Sequence, residues 1–141
     1  MRLPLLLLVL AAGCVSQTEK SEMPPLNLDE ANVVGVEFDR SGDGTYTFRV
    51  SVIHNDTGWE HYANWWRIKT VDGEEIARRV LAHPHVNEQP FTRALSGIEV
   101  PEGVTQVVVE AHCSVHGYGG QEMLVDLNTG EVTVYLKKGN L

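Results

Sequence analysis

The sequence predicts an all-β chain folded as an antiparallel β-sandwich of seven or eight strands. Three observations carry that prediction. From Val33 onward apolar residues recur at every second position, the period of a strand with one buried face, and helical spacing is hard to find. Turn signals such as Arg40-Ser-Gly-Asp-Gly44, Asp72-Gly73 and Asn128-Thr-Gly130 interrupt the pattern about every ten residues. Finally, 141 residues with 43% apolar and 21% charged content suit one ordinary domain with its own core.

Each strand is read from its alternation. Val34, Val36 and Phe38 alternate with Gly35 and Glu37 in the first, and Tyr46, Phe48, Val50 and Val52 with Thr47, Arg49 and Ser51 in the second. Trp66 and Ile68 alternate with Arg67 and Lys69, a phase that sends Trp66 to the core. Beyond Asp72-Gly73, Ile76 to Leu81 form the return strand and Phe91 to Ile98 the fifth. Val107, Val109, Ala111, Cys113 and Val115 share the inward face of a sixth strand, with His112 facing outward. Met123, Val125 and Leu127, then Val132, Val134 and Leu136, complete the set.

About a hundred residues, this strand count and a tryptophan on the third strand resemble an immunoglobulin-like or fibronectin-III-like domain. The link Ile98-Glu-Val-Pro-Glu-Gly-Val104 is similar to the turn that often precedes strand F there. The Cys…Trp…Cys staple of true immunoglobulin domains is absent. Such a fold hosts many functions and specifies none.

The N-terminus carries an address. Arg2 precedes the apolar run Leu3 to Ala12, far shorter than the roughly 20 residues a spanning helix needs, so it reads as a secretion signal. Leu10-Ala-Ala-Gly-Cys14 resembles the lipobox of bacterial lipoproteins, with Ala11 where Leu is commoner, and some archaeal secreted proteins have similar N-termini. That resemblance implies cleavage before Cys14 and acylation of its thiol, hence a palmitate-type lipid anchor on the outer side of a cell membrane, in the cell envelope. It divides the chain into a signal peptide (1–13), a lipidated N-terminus with a flexible linker (14–30) and a sandwich domain (31–137). The only other cysteine is Cys113, so acylation of Cys14 leaves no intramolecular disulfide.

Charge excludes one class of partner. With 11 basic and 19 acidic residues the formal charge is −8, and no basic face offers itself to phosphate, so nucleic acid is not a partner. No GxSxG elbow or phosphate-cradling glycine motif occurs, and no nucleophile stands out; the expectation is a binding module and not an enzyme.

All six histidines lie between residues 54 and 116. An up-and-down strand path delivers His54, His61, His83, His85 and His116 to loops at one pole, with His112 one layer lower and none at the opposite turns. Imidazoles from neighbouring loops suit zinc or copper. His61, His83, His85 and His116 are the preferred ligands, with His54 and His112 as further members. Asp56 and Glu88 lie in the same loops and could ligate, or hold an imidazole N–H. The competing reading is structural: His54 is in phase with the core and would cap it, while His112 would be solvated. Cys113-Ser-Val-His116 with Met123 also resembles, loosely, the Cys–His–Met ligand loop of blue-copper proteins, although the inward phase of Cys113 equally makes it a small core residue. Trp59, Trp65 and Tyr118 crowd the same region. They suggest a surface for a protein or glycan partner, which is the alternative role if no metal binds.

Overall fold

A computed structural model describes residues 25–136; Cys14 and the segment read as a signal peptide lie outside them. Eight strands follow one another: β1 (Asn32–Arg40), β2 (Tyr46–Ile53), β3 (Ala63–Thr70), β4 (Glu75–Val80), β5 (Phe91–Ile98), β6 (Gln106–Cys113), β7 (Glu122–Asp126) and β8 (Val132–Tyr135). They form two antiparallel sheets, β1-β2-β5 and β4-β3-β6-β7-β8. The three-stranded sheet and the β3-β6-β7 unit correspond to strands A-B-E and C-F-G of an immunoglobulin-type sandwich. Here β4 sits beside β3, and β8 extends the far edge.

The alternation read in the sequence becomes the core. Phe48, Val50 and Val52 from one sheet face Trp66, Ile68, Val107, Val109 and Val125 from the other, all with no exposed surface. Fully burying a side chain of this size stabilises the fold by about 1.5–3 kcal/mol, and among the described residues no disulfide contributes, Cys113 being a free thiol.

Two local readings are corrected. In β1 the register slips between Val33 and Gly35, so Val33 and Val36 are buried while Val34 is only half-buried. A bulge adds one residue and reverses the phase on either side of it. The sixth strand ends at Cys113: the Cys113 and Gly117 main chains bond each other in both directions (2.9 and 2.8 Å), and Val115 is exposed at the tip of that turn. Gly117 has φ +70°, a left-handed conformation that makes glycine the natural residue there.

The strand path sends every histidine-bearing loop to one pole. The 54–62, 81–90 and 114–121 connections lie there, whereas the turns at 41–45, 71–74, 99–105 and 127–131 occupy the other end and contain no histidine. Asn32 pairs with Ile53, which brings the residues just ahead of β1 onto the histidine pole as well.

Candidate metal centre

His54 follows the last residue of β2 and keeps the inward phase of Val50 and Val52, so it is buried, with 1% exposure. Cys113 is the last residue of β6, in phase with Ala111 and Val109, and has no exposed surface. These strands belong to opposite sheets, so the two side chains meet across the top of the sandwich. His61 joins them from the 54–62 connection, where Thr57 N–H donates to the His61 carbonyl (3.0 Å) and His61 N–H to that of Gly58 (3.2 Å). One ligating atom each of His54, His61 and Cys113 lies within 4.8 Å of the other two, and this is the one such group of three or more His, Cys, Asp or Glu side chains among the described residues. The exposed His116 stands edge-on to His61, ring centroids 5.2 Å apart, and His61 stands edge-on to His54 at 4.7 Å.

Asp56 fixes the orientation of His54. Its Oδ1 lies 2.5 Å from His54 Nδ1 and accepts from Ala63 N–H (3.0 Å); its Oδ2 accepts from His85 N–H (2.7 Å). Burial would raise the Asp56 carboxyl, but the hydrogen bonds from His54, His85 and Ala63 outweigh it and hold the group below its ordinary value. A carboxylate only accepts, so the hydrogen belongs to Nδ1 and Nε2 is the nitrogen His54 can offer a metal. The Asp29 carbonyl oxygen lies 3.2 Å from His54 Nε2 and 3.3 Å from His61 Nε2, covering that face of the pair. The segment bearing it, within the stretch read as linker, is tied down. Asn55 N–H donates to the Leu28 carbonyl (2.7 Å), and Asn32 Nδ2 donates to the carbonyls of Asn27 and Glu30 (2.8 Å each).

The other sequence-derived residues distribute around this centre. His83 and His85 are neighbours, ring centroids 4.6 Å apart, and His85 meets Asp56 through its main-chain N–H. His85 is buried and stacks on Phe91 at 4.1 Å; burial, Arg93 and His83 all push its pKa down. Glu88 turns away to pair with Arg93 (3.2 Å), and that hydrogen bond lowers its carboxyl. His112 lies on the outer face of the five-stranded sheet, donating to Asn64 (2.7 Å) and stacked on Trp65 at 3.7 Å, where burial, then Arg78 and Arg67, lower its pKa. Met123 pairs with Val109, four residues down β6 from Cys113 and so about 13 Å away along the strand, which separates it from the trio.

Trp65 and Tyr118 do not form an open platform with Trp59. Trp65 Nε1 donates to the Tyr118 hydroxyl (2.7 Å), Arg78 covers Trp65 and Arg67 covers Tyr118. Arg67 also bonds Glu110 (2.6 Å), whose other oxygen takes Lys69 (3.0 Å). This outer-face stack pins the 114–121 loop, and with it His116, to the sheet. Trp59 remains 65% exposed, edge-on to Tyr62.

Two imidazoles and a thiol suit a transition metal of intermediate softness. What sequence spacing left undecided was the membership of Cys113. The signal was present in its phase: His54 and Cys113 are both the last inward positions before the same pole, on strands of facing sheets. The Asp29 carbonyl is a main-chain group, for which no residue-type signal exists.

No family model matches the chain. A protein of Halomicrobium mukohataei named "Putative lipoprotein" is 44% identical over 115 residues, 82% of this chain and 56% of that protein, so the chain spans just over half the length of this relative. Among solved structures, a superoxide reductase from Nanoarchaeum equitans matches over 70% of this chain and 94% of its own, at 18% identity and a TM-score of 0.46.

Proposed function

We propose that this chain is a lipid-anchored, extracytoplasmic metal-binding domain. In this reading Cys14 carries the lipid, and His54, His61 and Cys113 bind a transition metal, zinc or copper first among the candidates, with His116 the nearest further imidazole. The observation that carries it is the convergence of two imidazoles and a thiol from three separate stretches of chain at one pole, with His54 and Cys113 buried. The name of the Halomicrobium relative supports the anchor. When bound, the metal supplies a positive centre able to hold or polarise an electron-rich ligand. The chain's own residues orient the ligands: Asp56 holds the His54 ring, the turn at Gly58–His61 sets His61, and Gly117 closes the turn after Cys113.

The test is titration of the detergent-solubilised chain with Zn²⁺, and with Co²⁺ as a spectroscopic probe, under reducing conditions. One equivalent should bind, with a thiolate-to-cobalt charge-transfer band that Cys113→Ala abolishes. Binding no tighter than high micromolar, or cobalt binding without that band, would overturn the metal assignment. The anchor is tested separately: Cys14→Ser should abolish incorporation of labelled fatty acid in the expressing cell, and unchanged labelling would refute it. The exposure of Trp59 favours a second role for the same pole, contact with a protein or glycan partner; Trp59→Ala should then lower retention of such a partner from envelope extracts while leaving zinc binding intact.

A further inference from the structure

Asp56 is a carboxylate with no exposed side-chain surface, in a connecting loop of a small domain. An ion in such a place is costly unless its lone pairs are used, and here both oxygens are. Oδ1 takes His54 Nδ1 and the N–H of Ala63, whose Cα is the β3 partner of Cys113. Oδ2 takes the N–H of His85. One side chain therefore joins the end of β2, the start of β3 beside Cys113, and the 81–90 crossover.

The surroundings of its second oxygen are unusual. His85 is 5% exposed, and neither of its ring nitrogens has a hydrogen-bond partner, while Asp56 Oδ2 lies 4.0 Å from Nδ1. The ring stacks on Phe91, and the side chain, 3% exposed, packs beside a carboxylate that has no exposed surface. A carboxylate shielded in this way is a strong, directional acceptor.

We propose that Asp56, backed by His85, is the positioning residue of the metal centre: it decides which nitrogen His54 presents and how strongly that nitrogen binds. Accepting the Nδ1 hydrogen leaves the lone pair on Nε2, on the side of His61, and raises its basicity. This inference rests on the metal-binding role proposed above and adds a residue that never touches the metal. The His85 main-chain N–H fixes Oδ2, while the His85 ring acts by shielding.

The experiment uses the ¹⁵N-labelled full chain in detergent. Imidazole ¹⁵N shifts of the metal-free wild type should show the His54 hydrogen on Nδ1; a bare Nδ1 would overturn the proposal, whatever the variants do. Asp56→Asn should weaken Zn²⁺ binding by about 10–100-fold while the thiolate-to-cobalt band survives, and affinity within threefold of wild type would refute the assignment. His85→Phe should retain the Nδ1–H form and the affinity, because the main-chain N–H remains; loss of the Nδ1–H form in this variant would refute the shielding role. Because the tautomer is read without metal, a wild type that binds no zinc yet shows Nδ1–H would sink the metal assignment alone.

Discussion

Replacing Cys113 with alanine separates a ligand from a core filler, because the two roles give different temperature shifts. The thiol is fully buried and sits across the ladder from Ala63, so removing Sγ deletes roughly one methylene's worth of apolar contact and leaves a small void. Burial and cavity terms together cost about 1–1.5 kcal/mol. In a domain near a hundred residues each kcal/mol moves the midpoint by about 4 °C, so the metal-free variant should melt about 4–6 °C below wild type. Zinc adds a second difference. At a free concentration 100 times Kd it stabilises the wild type by about 2.7 kcal/mol, or roughly 10 °C. If losing the thiolate weakens binding about a thousandfold, the same zinc contributes less than about 0.1 kcal/mol to the variant. The assay is thermal unfolding followed by circular dichroism, with chelator and with buffered zinc. A variant that loses a few degrees in chelator yet keeps the full zinc shift would refute the ligand role and leave Cys113 as packing.

Two further outcomes follow from side-chain placement. Lys69→Met removes the ammonium lying 3.0 Å from both Glu110 and Glu122, buried carboxyls on the outer face; denaturant melts should show a loss of about 3–5 kcal/mol. Glu122 is already raised, by burial and by Glu110, and loses a balancing charge; a raised folded pKa favours the protonated fold, so the deficit should deepen as pH rises from 4 to 8, and a deficit that shrinks would be contrary. His83→Ala should leave zinc affinity within about threefold, less than 1 kcal/mol, since that ring is exposed and its Nδ1 faces the Pro84 carbonyl; a tenfold fall by calorimetry would bring the crossover into the metal site.

The period-two pattern made the sandwich legible because burial on one face leaves a direct imprint on residue type. Trp66, Phe48 and Val109 lie where alternation puts them. Where an extra residue enters, as in β1, alternation alone reads Val34 for Val33, since a bulge depends on the partner strand. The histidine pole was legible for the same reason as the strands: an antiparallel path fixes which loops share an end. Partner choice within the pole was not. It depends on side-chain directions in the loops, and a carboxylate such as Asp56 can turn His54 toward His61 while Glu88 turns toward Arg93.

The strap ahead of β1 connects the proposed anchor to the proposed metal centre through a single oxygen. The Asp29 carbonyl faces Nε2 of both His54 and His61, and with the His54 hydrogen on Nδ1 the nitrogen that can donate to it is Nε2 of His61. A metal held by His61 Nε2 needs a lone pair there instead, so binding removes the donor on which this oxygen rests. The strap would keep its bonds through Asn32 and Asn55 but lose the one from His61 over the metal face. Amide exchange at Asn55, which donates to the Leu28 carbonyl, should therefore quicken when zinc is added, while Val50 and Val109 in the core slow with the gain in global stability. Slower exchange at Asn55 would mean that the metal holds the strap in place, with the carbonyl oxygen as one of its ligands.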